Sequence, residues 1–371
     1  MLEINTIVEK IKDTKIRKVA EKLYAKQRLD INDALLLYEK AELGLLGILA
    51  SHVRKIKNGE YAFFNRNFHI EPTNICLYQC KFCSYKRKEG EQGSWEFTPE
   101  EIYEKVKKYI GKPITEIHIV GGVHPERDLH YYGKIIQRIK EILPKIHVKA
   151  FTAIELQYMI KQANLSLEEG LKRLKEYGLD SIPGGGAEIF DKEVRLKLCP
   201  EKPSGEKWLA IHRAAHLAGI PSNATMLYGH IEKYENRINH MLLLRNLQDE
   251  TKGFNAFIPL KYRKENNLFS HLGEINAIED LKNYAVARIF LDNFDHVKAY
   301  WPMIGKDITQ TSLAFGVDDI DGTIDDSTKI YSMAGVKENN TMTPEEMIKL
   351  IKSGGRVPAE RDSFYNVIKS H

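Results

Sequence analysis

Residues 98–122 read TPEEIYEKVKKYIGKPITEIHIVGG, and this stretch contains the unit that decides the fold. Thr98-Pro99-Glu100-Glu101 is a capping box with proline at the first helical position, and apolar residues follow it at helical spacing. The run ITEIHIVGG (114–122) has the composition of a buried strand and ends in two glycines. The stretch therefore predicts a helix followed by a strand, which is the repeating unit of an α/β protein.

The same alternation continues through most of the chain. Seven further short apolar runs are separated by longer amphipathic stretches: FHIEPTN (68–74), HVKAFTA (147–153), LDSIPGG (179–185), IPSNATMLYG (220–229), FNAFIPL (254–260), HVKAYW (296–301) and TSLAFGVDDIDG (311–322). A second capping box at Ser166–Glu169 begins a helix for which Gly178 is the expected stop, and a third at Thr343–Glu346 begins a C-terminal helix. Eight strands alternating with helices predict a parallel (β/α)₈ TIM barrel.

The predicted barrel occupies residues 61–330. Residues 1–60 have apolar positions at helical spacing and are predicted to form an N-terminal helical segment. Residues 331–371 are predicted to form a C-terminal extension that contains the last helix. In a parallel barrel the functional residues gather at the carboxyl ends of the strands, so the site is expected there.

Composition excludes several classes of protein. With 43% hydrophobic and 29% charged residues the chain has ordinary globular composition, which argues against general disorder. The 55 basic and 51 acidic residues leave a net charge of only +4 over 371 residues, which gives no reason to expect a nucleic-acid partner. No apolar run approaches the roughly 20 residues of a membrane span, and the N-terminus has no apolar export signal. We therefore expect a cytoplasmic protein with no membrane partner.

Three of the four cysteines lie close together in the segment TNICLYQCKFC (73–83). Cys76, Cys80 and Cys83 form a C-x3-C-x2-C pattern, whereas Cys199 stands alone and is interpreted as a bystander. Three thiolates from one loop suit an iron–sulfur cluster. A structural zinc site normally needs four ligands, and no histidine near this segment in the sequence could be the fourth. A three-ligand zinc site and three unrelated buried thiols remain as alternatives. In the cluster interpretation, the missing fourth ligand leaves one iron open to a small molecule.

The cysteine pattern, with an aromatic residue before its last cysteine, resembles the signature of the radical S-adenosylmethionine (SAM) enzymes. The resemblance extends to the menaquinone and deazaflavin branch of that superfamily, and within the branch to the aminofutalosine synthases. It is carried by the following stretches: TNICLYQCKFCSYKR (73–87), GGVHPERDL (121–129), KAFTAIEL (149–156), GLDSIPGGGAEIFDKEVR (178–195), SNATMLYGHIE (222–232), NLQDETKGFNAFIPL (246–260), LDNFDHVKAYW (291–301) and FGVDDIDGTI (315–324).

This resemblance implies roles for particular residues. Cys76, Cys80 and Cys83 would hold a 4Fe–4S cluster, with SAM on the fourth iron. Gly121 and Gly122 would let the main chain approach the amino group of SAM, since glycine has no Cβ, although an ordinary tight turn would also explain them. After the glycine triplet at 184–186, Glu188 would bind the ribose hydroxyls of SAM and Arg195 its carboxylate, although the pair could also lie on a helix surface.

The implied substrate is 3-[(1-carboxyvinyl)oxy]benzoate, which has two carboxylates and an aromatic ring. Polar residues near the strand ends are the candidates to contact it, and the resemblance does not choose among them: His69, His124, Asn223, Thr225, Tyr228, His230, His296, Lys298 and Tyr300. Arg66 and Lys298 are possible counter-charges to its carboxylates. The adenosyl radical from SAM would add to the enol ether and give 6-amino-6-deoxyfutalosine. A reductase, flavodoxin or ferredoxin would supply the electron.

Other functions remain open at this point. Within the branch, the alternatives are a cyclic dehypoxanthine futalosine synthase and a subunit of a deazaflavin synthase. From a different class, the alternative is a non-catalytic iron–sulfur or zinc protein. The acidic cluster Asp318, Asp319 and Asp321 does not complete a calcium-binding loop and is expected to order the top of the barrel. His212 and His216 have helical metal-ligand spacing but are interpreted as structural.

Overall fold

The strands of the computed structural model close into a ring, as the sequence predicts. The model describes residues 4–324, 329–336 and 341–371. Residues 1–3 of the predicted N-terminal segment and 337–340 of the predicted C-terminal extension lie outside the described residues, as do residues 325–328. The boundaries at residues 60 and 330 that we predict between segments stay predictions.

The ring is assembled almost entirely from parallel pairs. Its strands are β1 (Tyr61–Asn65), β2 (Asn67–Ile70), β3 (Glu116–Ile119), β4 (His147–Ala150), β5 (Ser222–Tyr228), β6 (Phe254–Lys261), β7 (His296–Val297) and β8 (Asp319–Gly322). β2, β3 and β4 pair in that order, as do β5, β6 and β7, while β8 pairs with β1. β1 and β2 are separated only by Arg66, so together they act as one bent strand of the ring. This strand pairs with β8 on one side and with β3 on the other.

Isolated parallel bridges close the two remaining gaps in the ring. Lys149 pairs with Ser181 and Ile182 pairs with Ser222, so residues 181–182 take the fourth strand position between β4 and β5. Lys298 pairs with Asp319 and connects the end of β7 to β8. All eight predicted strand positions are therefore present, although the fourth is too short to be a regular strand.

Helices surround the ring and extend beyond it at both termini. Four of them precede the barrel: α1 (Ile4–Glu9), α2 (Thr14–Tyr24), α3 (Ile31–Lys40) and α4 (Leu43–Asn58). The others are α5 (Pro99–Lys107), α6 (Leu129–Ile142), α7 (Ala153–Gln162), α8 (Leu167–Tyr177), α9 (Lys192–Leu198), α10 (Gly205–Leu217), α11 (Tyr234–Thr251), α12 (Ala277–Phe290), α13 (Trp301–Ile304), α14 (Lys306–Ser312), α15 (Ile330–Met333) and α16 (Pro344–Ser353), with a 3₁₀ turn at Ser270–Leu272.

The N-terminal helices pack on the outside of the barrel, against α11 and α12. The Tyr38 hydroxyl of α3 donates to Asn283 of α12 at 2.6 Å, and both residues are buried. Apolar residues of α2, α3 and α4 belong to the same hydrophobic core as those of α11 and α12. These helices therefore cover one outer wall of the barrel and leave the carboxyl ends of its strands free.

The helix start signals are confirmed. Reciprocal capping boxes are formed at Thr98 of α5, Ser166 of α8 and Thr343 of α16. Gly178 ends α8 with a φ of 106°, a left-handed conformation that favours glycine. The helix boundaries are thus set by local hydrogen bonds that can be read from the sequence.

Two strands after α16 were not expected. β9 (Val357–Arg361) pairs in parallel with β1, and β10 (Val367–Ser370) pairs antiparallel with β9. The β9 sequence VPAER contains proline and two charged residues, so its composition gives only a weak strand signal. The C-terminal extension therefore adds an edge to the sheet in addition to the expected helix. Among the described helices, none combines the length and the apolar character needed to cross a bilayer.

Candidate active site

A cavity of about 280 Å³ opens at the carboxyl ends of the barrel strands and reaches into the barrel. Its upper part is lined by the cysteine segment, the glycine turn after β3 and the glycines that follow residues 181–182. Its walls carry the apolar side chains of Val120, Ile258 and Leu260, and its deep end is lined by charged side chains of β3, β4 and β8. The position agrees with the strand-end location expected for a barrel enzyme.

The cysteine segment is fastened to its surroundings by main-chain hydrogen bonds. Leu77 donates to the carbonyl of Val123 at 2.9 Å, and Lys81 donates to the carbonyl of Leu198 at 2.9 Å. The main-chain N–H of Gln79 donates to the Glu201 carboxylate at 2.8 Å. The turn after β3 and the segment after α9 therefore hold the cysteine segment from two sides.

The three clustered thiols line the same cavity and form no disulfide. The main-chain N–H of Val123 donates to the Cys76 sulfur at 3.4 Å, a contact that stabilises a ligating sulfur. Burial raises the pKa of the Cys76 thiol to about 11. The thiol would lose its proton on binding a metal. A tetrahedral zinc site normally takes four ligands, whereas three thiolates from one segment are a donor set that fits an iron–sulfur cluster.

The sequence position of Cys199 suggests that it lies apart from the other three cysteines, but in the structure it lies close to them. Its thiol is buried and within hydrogen-bonding reach of Cys80. The reason is the contact between the segment after α9 and the cysteine segment, which links residues far apart in sequence. Its interpretation as a bystander in ligation stays a prediction.

Gly121 and Gly122 line the cavity and also pack against the chain that leads to Cys76. A Cβ on Gly122 would lie 2.2 Å from the carbonyl oxygen of Ile75, so no other residue fits there without moving the main chain. The N–H of Gly121 donates to the Glu155 carboxylate at 3.0 Å. The two glycines therefore bring the turn after β3 against the cysteine segment.

Glu188 lines the cavity and pairs with Lys202, whose ammonium lies 2.8 Å from its carboxylate. Burial opposes ionisation of Glu188, but Lys202, by its charge and its hydrogen bond, outweighs burial together with Arg195 and His230, and the pKa of the carboxyl is below its usual value. Lys202 also lies over the ring of Phe82 at 5.5 Å, between the glutamate and the cysteines. A partly buried cation therefore lies at the upper end of the cavity.

Arg195 is not among the residues that line the cavity. Its guanidinium donates to the main-chain carbonyls of Ala187 at 2.6 Å, Pro203 at 2.8 Å and Gly186 at 3.2 Å. These bonds hold the glycine segment and the neighbouring Glu188 in place. In this arrangement Arg195 supports the cavity wall, and its contact with the carboxylate of SAM stays a prediction.

The candidate substrate residues divide into two groups. Asn223, Lys298 and Tyr300 line the cavity, and the Tyr300 hydroxyl is hydrogen-bonded to that of Tyr331. Three others do not line it: His124 packs against Glu96, the Tyr228 hydroxyl donates to Asp280, and His230 bonds the loop after β5. The sequence placed these three near strand ends but could not show that their side chains turn outward.

The remaining candidates divide in the same way. Thr225 lines the cavity and donates to the carbonyl of Gly184, whereas His69 does not line it and packs against His118. Arg66 pairs with Glu360, and His296 stacks on Tyr365 with its ring centroid 3.5 Å away. Arg66 and His296 are therefore committed to contacts at the base of the barrel.

Comparison with known proteins identifies the superfamily. Residues 70–244 match the model of the Radical SAM superfamily, and residues 251–370 match the CofH/MqnC C-terminal region. The aminodeoxyfutalosine synthase of Thermus thermophilus is 44% identical over 97% of this chain and 97% of its own length. The chain belongs to the radical SAM superfamily. Its members bind a 4Fe–4S cluster and SAM, and the chemistry of this donor set fits them.

Two further comparisons place this radical SAM protein within the superfamily. It is 36% identical to the 5-amino-6-(D-ribitylamino)uracil–L-tyrosine 4-hydroxyphenyl transferase of Archaeoglobus fulgidus, over 86% of this chain and 92% of that protein. The crystal structure of methylornithine synthase superposes with a TM-score of 0.72, at 18% identity, over 92% of this chain and 97% of that one. The second comparison supports the radical SAM barrel fold.

The acidic residues of β8 lie lower in this radical SAM barrel than expected. Asp318 and Asp319 are at the amino end of β8, where Asp318 contacts Arg288 and Asp319 contacts Arg361. They order the base of the barrel and not its top, because the strand begins at Asp319. Only Asp321 faces the cavity. His212 and His216 both bond the Ser222 hydroxyl, which confirms their structural interpretation.

Several residues of the radical SAM site were not predicted from the sequence. Lys202, His118, Lys149 and Tyr331 line the cavity, and Glu155 holds the glycine turn. Strand alternation could have identified His118 and Lys149. Successive side chains of a strand point to opposite faces, and each of these residues follows an apolar residue on its strand. Lys202 and Tyr331 come from irregular or short segments, and no periodic signal in the sequence marks them.

Proposed function

We propose that this chain is an aminodeoxyfutalosine synthase, which joins the adenosyl group of SAM to 3-[(1-carboxyvinyl)oxy]benzoate. The supporting observation is the 44% identity to the Thermus synthase over nearly the whole of both chains. In the proposed reaction the 5′-deoxyadenosyl radical adds to the enol-ether double bond, and the aryl group migrates from the ether oxygen to the neighbouring carbon. The bond from that carbon to the carboxyl group then breaks, and the unpaired electron leaves with the carboxyl group. The product is 6-amino-6-deoxyfutalosine, a precursor of menaquinone, and SAM is consumed as a substrate.

Cys76, Cys80 and Cys83 are the proposed ligands of the 4Fe–4S cluster, which supplies the electron for reductive cleavage of SAM. Support comes from their shared cavity and from the Val123 N–H on the Cys76 sulfur. The glycine turn at 121–122 and Glu188 are proposed to bind SAM beside them. Arg195 would act through its bonds to the main chain around Glu188.

The lower part of the cavity is the proposed place of the aromatic substrate. Asn223, Lys298 and Tyr300 are proposed to contact it, between apolar walls formed by Ile258 and Leu260. The physical task of these residues is to hold the vinyl carbon within about 3–3.5 Å of the reacting carbon of SAM. A second task is to exclude water from the radical, which the enclosed barrel interior favours.

A small electron carrier, either a reductase or a flavodoxin or ferredoxin, is the proposed physiological partner. The cytoplasm is the proposed location, because three unpaired thiols and a reducible cluster are stable where thiols are kept reduced. No nucleic-acid partner is proposed, since the net charge is only +4.

Product analysis tests the proposal. The reconstituted enzyme is incubated without oxygen with SAM, dithionite and 3-[(1-carboxyvinyl)oxy]benzoate, and the products are analysed by mass spectrometry. The expected product contains both the adenine base and the aryl carboxylate. Parallel reactions supply the alternative substrates, which are dehypoxanthine futalosine, or tyrosine with 5-amino-6-(D-ribitylamino)uracil.

The outcome separates the possible functions. Accumulation of 5′-deoxyadenosine alone with the benzoate substrate, together with turnover of one of the alternative substrates, would move this chain to a sister function. A non-catalytic iron–sulfur protein would show no SAM cleavage, and its EPR signal would be unchanged when SAM is added. Either result would overturn the proposal.

A further inference from the structure

The deep end of the cavity is lined by five titratable side chains, which we call the floor cluster together with His69, whose ring packs against one of them. Its members are His69 of β2, Glu116 and His118 of β3, Lys149 of β4, Lys298 next to β7, and Asp321 of β8. His69 stands opposite His118 in the strand register, and His118 stands opposite Lys149. His69, His118 and Lys149 therefore lie at one level of the barrel on three neighbouring strands.

The charges of the floor cluster are paired within it. The Lys149 ammonium lies 2.5 Å from the Glu116 carboxylate, and the Lys298 ammonium lies 2.7 Å from that of Asp321. All four of these side chains are buried. Each lysine is thus paired with a carboxylate inside the cluster, so Lys298 contacts the cavity but is not the unpaired counter-charge that the sequence suggests.

The two histidines, in contrast, have unused hydrogen-bonding capacity. Among the described residues, the Nε2 atoms of His118 and His69 are buried and have no hydrogen-bond partner. The rings meet edge to face with centroids 4.5 Å apart, and His118 lines the cavity. Because buried polar atoms are nearly always paired, two adjacent unpaired imidazole nitrogens indicate that a ligand completes the site.

We propose that His118, supported by His69, binds the ring carboxylate of the aromatic substrate at the floor of the cavity. This inference rests on the proposed function, which brings an aryl carboxylate to this cavity. The vinyl group must lie near the cysteine end, where SAM binds. His118 lies on β3 and Gly122 lies in the turn that follows β3, so His118 is farther from the cysteine end of the cavity. The carboxylate on the far side of the ring therefore points towards His118.

The binding step also requires a proton. In the free protein His118 is neutral, because burial and the neighbouring His69 and Lys149 lower its pKa well below the usual value, and Glu116 does not offset them. Lys298 faces it from across the barrel and lowers its pKa further. A carboxylate buried in this neutral cluster would be uncompensated, so the imidazole takes up a proton when the carboxylate arrives. Affinity should then fall with rising pH, by up to about tenfold per pH unit.

Two unreactive analogues test this inference without turnover. The first is 3-(1-carboxyethoxy)benzoate, and the second is 2-phenoxypropanoate, which lacks the ring carboxylate. Calorimetry on the anaerobic, cluster-loaded enzyme with SAM and no reductant gives the dissociation constant of each. The wild-type protein should bind the benzoate about 10- to 100-fold more tightly than the phenyl analogue, a factor typical of a hydrogen bond to a charged group.

Three variants identify the group responsible. His118→Phe keeps an aromatic ring but removes the donor. It should therefore lose affinity for the benzoate alone and bind it only as weakly as the phenyl analogue. His118→Gln keeps a donor but cannot take up a proton, so it should show intermediate preference and no proton uptake when buffers of different ionisation enthalpy are compared. His130→Phe, on α6 and outside the cavity lining, is the control and should behave as wild type.

The inference is overturned if His118→Phe retains the preference for the benzoate, or if the wild-type protein has none. If the dissociation constants of both analogues rise by the same factor in His118→Phe relative to wild type, the inference is also overturned, because that result indicates a purely structural role. Failure of the proposed function is a separate result: no adduct forms from the reactive substrate. The binding preference can be measured whichever way that reaction turns out.

Discussion

The four cysteines of this chain are close together in space but are expected to have different roles. Cys199 is within hydrogen-bonding reach of Cys80, yet it follows α9 and does not belong to the looped segment that contains the other three. Thiolate ligation is what holds an iron–sulfur cluster, so each of the three looped cysteines should be indispensable.

Alanine substitution at Cys76, Cys80 or Cys83 should abolish the visible absorbance of the iron–sulfur cluster and all cleavage of SAM. Cys199→Ala is the matched control, because it removes a buried neighbouring thiol without removing a proposed ligand. It should retain iron content and cleavage within about twofold of wild type. Iron and sulfide analysis after anaerobic reconstitution measures the result, and loss of iron in Cys199→Ala would contradict the assignment of ligands.

Glu155 gives a prediction about pH and stability. Its buried carboxylate accepts from Gly121 and Thr152, but burial is the larger effect and raises its pKa to about 7. In the unfolded chain a glutamate titrates near 4.3, so between these values the folded state binds the proton more tightly. The contribution of Glu155 to stability is therefore greatest at low pH and falls as pH rises towards 7, by on the order of 3 kcal/mol.

Glu155→Gln should remove this fall. Urea unfolding at pH 5 and pH 7.5, followed by circular dichroism, measures it as the difference between the two midpoints in each protein. Glu169→Gln is the control, because Glu169 occupies the same position in the exposed capping box of α8 and its pKa is lowered by Ser166. An unchanged pH dependence in Glu155→Gln would show that Glu155 does not titrate in this range.

The candidate site was predictable at the residue level only where chemistry and spacing coincide. The cysteine motif and the glycine turn combine a distinctive residue type with a fixed spacing, and all five residues line the cavity. Side-chain direction is not encoded in that way. His124 and Tyr228 are near strand ends yet turn to Glu96 and Asp280, while His118 lies inside a strand and faces the cavity.

At the level of elements, the strands of the ring were predictable and the edge of the sheet was not. The eight apolar runs are buried between helices, so their composition is unmistakable. β9 lies outside the ring, and only one of its neighbours, β1, belongs to the barrel. Its charged residues are nevertheless buried, because they reach back to partners at the barrel base.

Arg361 of β9 is the clearest case of such a contact. Its guanidinium lies 2.6 Å from the carboxylate of Asp319, and both side chains are almost fully buried. The nearest other cation is Lys298, whose ammonium is 4.0 Å from Asp319. Removing the arginine would leave a buried carboxylate without its main partner.

Arg361→Ala should therefore reduce the free energy of unfolding by about 3–5 kcal/mol, the usual cost of breaking a buried ion pair. Lys369→Ala on the exposed neighbouring strand β10 is the control and should change it by less than about 0.5 kcal/mol. Denaturant titration of both variants measures the difference. Equal stability of the two variants would show that β9 does not secure the barrel base.

At the scale of the whole molecule, one cavity joins two environments. Its upper end has the thiols, the glycine turn and the Glu188–Lys202 pair, and its lower end has the floor cluster. In the proposed function SAM occupies the first and the aryl carboxylate the second, so the new carbon–carbon bond forms between them. This arrangement makes SAM a substrate, because its adenosyl group remains attached to the product.

The central claim is therefore tested most directly by following the adenosyl carbons of SAM. The anaerobic enzyme is given 3-[(1-carboxyvinyl)oxy]benzoate, dithionite and SAM labelled with carbon-13 in its ribose, and both products are quantified by mass spectrometry. The account predicts that each SAM cleaved delivers its labelled ribose to the aryl-containing product, with one methionine released per product. Recovery of the label only as 5′-deoxyadenosine, with no labelled aryl product, would contradict it.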